Sequence, residues 1–340
     1  MSKPTHTVRL EPSGQTFSVE PGETILAAAL RQGHPLPYSC RNGSCGACKG
    51  RVLAGVIDYG TYEEKALSAA ERAAGKALFC QAVPLGDVTI EAREVAAAKD
   101  IVIKTLPARV IKMERAAHDV MILSLKLPQT EAFKFLAGQY IDILLRDGQR
   151  RSFSLANPPH ATEALQLHVR HVPGGHFTGH VFNAMKEKDL LRLRGPLGMF
   201  FLREAELPAI LVAGGTGFAP MKSIIEDAIA RGLKRPLHLY WGTRAQRDLY
   251  LDALARDWAR AHPQIRYTPV LSEPHADDAW SGRTGWVHDA VLADYAALDG
   301  HEVYASGPPP MIEAIRASFR ARGLADDRLY YDSFEFAHAV

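Results

Sequence analysis

Long apolar runs are missing from this 340-residue sequence. The longest, such as residues 25–30, fall far short of the roughly 20 residues that a helix needs to cross a bilayer. No membrane span is expected. The opening Met1-Ser2-Lys3-Pro4-Thr5-His6 has no apolar stretch, so no export leader is read there. Charge of one sign is concentrated nowhere: 40 Lys and Arg stand against 38 Asp and Glu, a formal net charge of +2. That balance argues against a nucleic-acid arm or a membrane-surface patch. Internal repeats and low-complexity segments are absent too. Cysteine is scarce, with four residues in all, and every one lies in the first 80 positions. What remains is the composition of a globular protein, 47% hydrophobic and 23% charged. The chain is too long for one ordinary core, so two or three domains are expected.

The four cysteines are Cys40, Cys45, Cys48 and Cys80, spaced C-x4-C-x2-C with 31 residues before the last. That is the plant-type spacing for a [2Fe–2S] cluster, in which four thiolates complete the coordination of two irons. Gly43 and Gly46 allow tight turns that bring backbone N–H groups to the sulfurs, and Ser44 offers a hydroxyl. Two plainer readings compete. A four-cysteine zinc site usually shows two C-x2-C knuckles, and only Cys45 and Cys48 form one here. Disulfides need an oxidising compartment, and no leader directs the chain to one. A cytoplasmic location fits the cluster.

Around these cysteines, residues 5–20 read as a hairpin turned at Glu11-Pro12-Ser13-Gly14. Residues 25–31 read as an apolar helix closed by Gly33. Residues 49–53 and 88–93 read as strands, and 67–76 as a helix with Ser68 and Glu71 as a capping box. This unit resembles the β-grasp fold of plant-type ferredoxins. Ten Lys and Arg balance ten Asp and Glu over residues 1–95, whereas free ferredoxins of this type are commonly acidic. Neutrality suggests a tethered electron supply. Residues 96–105 read as an Ala-rich linker.

From 106 to 205 the pattern is short alternating strands with Pro and Gly between them, as in a small antiparallel barrel. From 206 to 340 buried-type strands alternate with helices, which argues for a parallel α/β sheet. Within the barrel stand Arg151-Ser152-Phe153-Ser154, Gly174-Gly175-His176-Phe177-Thr178 and Gly195-Pro196-Leu197-Gly198. Together they resemble the ferredoxin–NADP⁺ reductase superfamily, whose barrel holds FAD. The resemblance implies that Arg151 meets the flavin pyrophosphate, with Gly174, Gly175 and Thr178 beside it. It also implies that Phe153, where the family usually has Tyr, stacks on the ring and that Ser154 sits near N5. His168, His171, His176 and His180 form a dense patch, but strand alternation separates 168 from 171 and no metal spacing fits.

In the α/β part, Gly214-Gly215-Thr216-Gly217-Phe218-Ala219-Pro220 joins a strand to a helix. Glycines admit a pyrophosphate close to the backbone, and the helix N-terminus attracts its charge. Pro220 rules out the G-x-G-x-x-G form, and Thr216 and Met221 rule out a P-loop. The form G-x-G-x-x-P resembles the superfamily's nicotinamide site. Ser306-Gly307-Pro308-Pro309-Pro310-Met311 resembles its C-G-P-P-x-M, with Ser306 in place of the Cys beside the nicotinamide. Arg244 either meets a 2′-phosphate or lies beside the adenosine ribose. NADH is the donor by family habit, with NADPH open. The tail resembles the family's acidic-x-Phe ending, which implies that Phe334 covers the flavin and Asp332 assists proton movement, beside a core-packing reading of Phe334.

Nicotinamide gives up a hydride, a [2Fe–2S] cluster takes single electrons, and a flavin converts between them. The whole chain resembles the hybrid reductases that serve ring dioxygenases, multicomponent monooxygenases and the deoxysugar pathway. The cysteine loop, Ala77-Leu78-Phe79-Cys80 and the Tyr-Tyr-Asp-Ser-Phe tail resemble most the CDP-6-deoxy-Δ3,4-glucoseen reductase group. A monomer that reduces an electron-accepting partner protein is expected, with Ser154, Ser306 and Asp332 at the hydride centre. The alternatives are a diaphorase or flavin reductase, or a redox-sensing binding protein, in each of which the cluster is incidental. Anaerobic addition of NADH is expected to bleach the flavin absorbance first and the cluster absorbance after it. A binding protein would leave both unchanged.

Overall fold

The computed structural model describes residues 5–335, so Met1-Ser2-Lys3-Pro4, read above for a leader, lie outside the described residues. No helix among the described residues is long and apolar enough to cross a membrane. The chain forms two compact units, Met1–Ile101 and Val102–Val340.

In the first unit, β1 (His6–Glu11) and β2 (Gln15–Val19) form the expected hairpin. Helix α1 (Ile25–Arg31) follows, with Thr24 Oγ1 accepting from Ala27 N as its cap. Then come β3 (Lys49–Ala54), β4 (Ile57–Asp58), α2 (Ala69–Ala73), β5 (Lys76–Leu78), β6 (Val83–Pro84) and β7 (Val88–Glu91). The sheet order is β2-β1-β7-β3-β5, with β4 and β6 as a separate pair. Ser68 and Glu71 make the capping box, but α2 is half the expected length. Gly75 takes a positive φ there, and Lys76 is already drawn into β5, paired with Arg51.

In the second unit, β8 (Lys104–Arg115), β9 (Val120–Lys126), β10 (Tyr140–Leu144), β11 (Arg150–Ser154) and β12 (Leu165–Arg170) lead to α3 (His176–Asn183) and β13 (Leu190–Leu197). Strand β8 starts inside the stretch expected as linker, and Ala96–Ala98 forms a 3₁₀ turn. The antiparallel order is β11-β10-β13-β8-β9-β12, and a bridge between Leu155 and Leu167 brings its two ends together. Helix α3 was not expected. Its eight residues begin where Gly174 and Gly175 read as turn, and Phe177 and Val181 bury one face.

The remainder alternates as the sequence implies: β14 (Ala209–Gly214), α4 (Phe218–Ala230), β15 (Leu237–Thr243), α5 (Asp252–Ala261), β16 (Ile265–Leu271), β17 (Arg283–Thr284), α6 (Val287–Asp294), β18 (Glu302–Gly307), α7 (Pro309–Arg320) and β19 (Leu329–Ser333). All six strands are parallel, in the order β17-β16-β15-β14-β18-β19. The order reverses at β14, so the switch point lies between β14 and β18, where open α/β sheets bind ligands. Alternation explains the layers. Leu211 and Ala213 join one core with Phe218, Trp241 and Trp258, and Ile210 and Val212 join the other with Tyr240 and Val303. Buried Arg235 ties residues 203–207 to the sheet by bonding the Leu207 and Arg203 carbonyls and Glu302, which also accepts from Tyr304 Oη at 2.6 Å.

Two histidines are held neutral inside this unit. Burial, then the charge of Lys222, pushes His168 down to about 3, and burial with Arg266 brings His238 to about 4. Unfolded imidazoles take protons near 6.5, so protons favour the unfolded chain. This contribution is fully present above pH 6.5 and is lost as pH falls through the folded values of about 4 and 3. Over that window the thermal midpoint of the wild type is expected to fall more steeply than that of His168→Gln. Parallel curves would clear His168 of any part in it.

Candidate functional site

Strand register brings the cysteines together. Lys49 pairs with Leu78, which sets Cys48 at the head of β3 opposite the end of β5. The Phe79 ring fills the space beside Gly50, where a Cβ would stand 2.2 Å from it, and Phe79 N donates to Cys48 O at 3.1 Å. Cys80 follows on that anchor. The loop itself turns through positive φ at Arg41, Gly43 and Gly46. At Gly43 a Cβ would stand 2.7 Å from Thr61 O. Cys45, Cys48 and Cys80 are buried and Cys40 is half-buried.

The thiols associate as two pairs. A hydrogen bond from Cys45, with help from the N–H groups of Asn42 and Cys45 and from the Ser44 hydroxyl, brings Cys40 down to about 5. The same bond, then burial, lifts Cys45. Cys80 is lowered by its bond with Cys48, which is raised in turn. Ala47 N reaches Cys45 Sγ at 3.5 Å and Gln81 Nε2 reaches Cys80 Sγ at 3.8 Å. Ser44 Oγ also reaches Asn42 Oδ1 at 2.5 Å, so its one proton is shared between that oxygen and sulfur. Two sulfur pairs ringed by amide donors suit two irons with two protein ligands each. The donor set fits a [2Fe–2S] cluster.

On the barrel, β11 carries Arg151 and Phe153 on one side and Ser154 on the other. Phe153 meets Phe177 of α3 with ring centroids 5.4 Å apart. Arg151 donates to Gln149 Oε1 at 2.7 Å and remains half-exposed on the same side. Gly174 needs its positive φ, and Gly175 caps α3, whose first amides point outward as anion donors do. Thr178 turns its hydroxyl back to the loop, accepting from Val172 N at 3.1 Å.

At the switch point the predicted residues converge. Ser306 and Asp332 are register partners on β18 and β19, and Ser154 Oγ donates to Asp332 Oδ2 at 3.0 Å across 178 positions of sequence. All three are buried. Ser306 Oγ is fully buried and makes no hydrogen bond among the described residues. Such an orphan suits a group that brings its own polar atoms to this spot. The glycines form the matching cradle. A Cβ on Gly217 would stand 2.0 Å from Ser306 O, and one on Gly214 would stand 2.6 Å from Met311 Sδ. A Cβ on Gly307 would stand 3.1 Å from Gly214 Cα, and Pro308 caps α7 beside them. Gly215–Gly217 is a 3₁₀ turn with Thr216 half-buried, held by Trp241 Nε1 donating to Gly215 O at 2.9 Å. Pro220 is the third residue of α4, where no N–H is missed. Phe334 is half-buried and donates its N–H to Gly307 O at 2.9 Å, which ties its backbone to the end of β18.

Two residues were missed. Arg170, at the end of β12, places Nη1 3.0 Å from where a Gly215 Cβ would be, and Asp119 holds its Nε at 2.7 Å. Glu273 follows β16 and donates its N–H to Arg244 O at 2.8 Å, so the exposed Arg244 and Glu273 stand side by side. A charged residue at each strand's carboxyl end was the available signal. Of the histidine patch, His168 is committed to Tyr250 Oη at 2.9 Å and His171 packs on Phe182. Gly217→Ala is expected to slow flavin reduction by about a hundredfold, as for a displacement near 1 Å, with bound FAD unchanged. Stopped-flow absorbance measures both.

Comparison with known proteins agrees part by part. A 2Fe-2S iron-sulfur cluster binding domain matches residues 8–85, an oxidoreductase FAD-binding domain residues 107–202, and an oxidoreductase NAD-binding domain residues 211–317. The chain is 42% identical to the CDP-6-deoxy-L-threo-D-glycero-4-hexulose-3-dehydrase reductase of Yersinia pseudotuberculosis, over 96% of this chain and 98% of that one. It is 37% identical to the reductase component of phenol 2-monooxygenase from Pseudomonas sp. strain CF600, over 97% and 94%. Among solved structures, the cytochrome P450 reductase GcoB of Amycolatopsis superposes with a TM-score of 0.80 at 36% identity, covering 97% of this chain and 99% of that one. The ferredoxin reductase of carbazole 1,9a-dioxygenase superposes at 0.71 with 26% identity, over 98% and 99%. With thiol pairs, flavin strand and nucleotide cradle all in place, the chain belongs to the iron–sulfur flavoprotein reductases, NAD(P)H oxidoreductases built from [2Fe–2S], FAD-binding and NAD-binding domains.

Proposed function

We propose that this reductase takes electrons from NADH and delivers them to a partner enzyme of the dehydrase or oxygenase kind. The meeting of Ser154, Ser306 and Asp332 at the switch point carries this reading. The groups that the chain binds supply two-electron hydride uptake at a flavin and one-electron passage at a [2Fe–2S] centre. The rest is the work of side chains. Arg151, Gly174, Gly175 and the start of α3 hold the flavin pyrophosphate, Thr178 keeps that loop in shape, and Phe153 and Phe334 bound the ring. Ser154 faces the flavin, and Asp332 orients its hydroxyl and holds a proton beside it. Gly214, Gly215, Thr216, Gly217 and Pro220 present backbone to the dinucleotide, with Arg170 as cation over the turn. Ser306, Gly307 and Pro308 receive the nicotinamide. Cys40, Cys45, Cys48 and Cys80 bind the irons.

Glu273 supports NADH as donor, because its carboxylate accepts from a ribose 2′-hydroxyl and repels a 2′-phosphate that Arg244 alone would attract. Residues 1–95, 106–205 and 206–340 are assigned to the three domains, with 96–105 between the first two. The relatives' dehydrase and oxygenase partners suggest an acceptor of either chemistry, and four cysteines assigned to the irons suit a reducing, cytoplasmic setting. A single chain holds every group named, so a monomer suffices.

Cys45→Ser is expected to keep NADH-driven flavin bleaching and lose reduction of a one-electron partner protein. Unchanged partner reduction would overturn the electron path. Glu273→Ala is expected to narrow the preference for NADH over NADPH by about tenfold in kcat/KM, and Arg170→Ala to raise KM for NADH more than it lowers kcat. Steady-state kinetics with both donors decides each.

A further inference from the structure

The second turn of α4 reaches across to barrel backbone. Ser223, fully buried, donates its hydroxyl to Asn157 O at 2.7 Å, and Lys222 Nζ donates to Ala156 O at 3.2 Å. Ile224 Cδ1 comes within 3.1 Å of where a Gly138 Cβ would stand. Three consecutive side chains of one helix therefore seat on the barrel. Ala156 and Asn157 lie two and three positions after Ser154, on a segment already fastened by Leu155 N to Gln139 O at 2.9 Å and by Ala156 N to Gln166 O at 2.8 Å. The Asn157 side chain is committed as well, accepting from Gln166 N at 2.8 Å and donating to Ala161 O at 3.0 Å. Its carbonyl has no freedom to seek another donor. One turn earlier on the same helix stands the Gly215–Gly217 turn.

We infer that Lys222 and Ser223 are positioning residues that fix the spacing between the flavin-facing end of β11 and the nicotinamide turn. Hydride donor and acceptor then meet without movement of the barrel against the parallel sheet. Covalently joined domains ordinarily shift against each other, whereas transfer needs reacting atoms held about 3–3.5 Å apart. A rigid helix bonded to both sites meets that need. The inference rests on the placement of the flavin at Ser154, and the experiment separates the two.

Ser223→Ala and Lys222→Met, each loaded with FAD, are mixed rapidly with NADH and with NADH deuterated at the transferred hydrogen. Amide exchange is followed over residues 155–157. Expected are unchanged FAD content, faster exchange at those amides, flavin bleaching slowed by about tenfold or more, and a larger deuterium effect. Wild-type bleaching rates and isotope effects in both variants would overturn the inference, whatever happens to stability. If Ser223→Ala does not fold, Lys222→Met decides alone. Ser154→Ala is the control. Its bleaching at the wild-type rate would overturn the flavin placement, while slow bleaching in it beside normal rates in the other two would overturn the positioning role only.

Discussion

The closeness of two backbones at the carboxyl end of the parallel sheet governs this molecule. The strand ends of β14 and β18 and the turn between β14 and α4 leave no room for side chains at Gly214, Gly217 or Gly307. That lack of bulk lets the strands and the turn close on one another, and it also fixes where Ser306 sits. Ser306 then meets Asp332 by strand register, and Asp332 meets Ser154 by a hydrogen bond. A steric constraint among glycines thereby becomes a chemical arrangement among three polar side chains. The buried Ser306 hydroxyl at this junction is unsatisfied among the described residues.

The same economy holds at the cysteine loop, although the forces differ. There the loop is shaped by positive φ at Arg41, Gly43 and Gly46, and by the Phe79 ring wedged beside Gly50. The sulfurs are gathered by β-sheet register. Inside the apolar surroundings, amide donors and neighbouring thiols divide the four groups into two lowered and two raised. Full deprotonation of such a set needs compensating positive charge, which iron supplies.

Much of this was legible because it is local. Cysteine spacing, the glycine turn after β14 and the Ser68–Glu71 capping box are patterns within a few residues, and each stands where the sequence implies. The parallel α/β character of the nucleotide sheet followed from alternation, whereas its strand order is a property of the fold. Helix α3 was missed because its eight residues begin at a Gly-Gly pair that reads as turn and are too few for a clear period. Helix α2 was overestimated because Gly75 ends it and pairing with β3 claims Lys76. Arg170 and Glu273 escaped notice for another reason. Each stands at or just past the carboxyl end of a strand, but what it lies beside, the Gly215 turn or Arg244, is on a different element and is fixed only by the fold. Ser154 and Asp332 were found, but as separate resemblances. That they touch is a property of the fold.

The bonds between barrel and nucleotide sheet include several that carry no net charge on either side, among them His168 with Tyr250 and Ser223 with Asn157. Burial keeps that imidazole neutral throughout the physiological range. Contacts of this kind lie beyond the reach of mobile ions, which act on exposed charges over about 8–10 Å at ordinary ionic strength. Salt can thus weaken an encounter between this reductase and another protein without loosening the seam inside it.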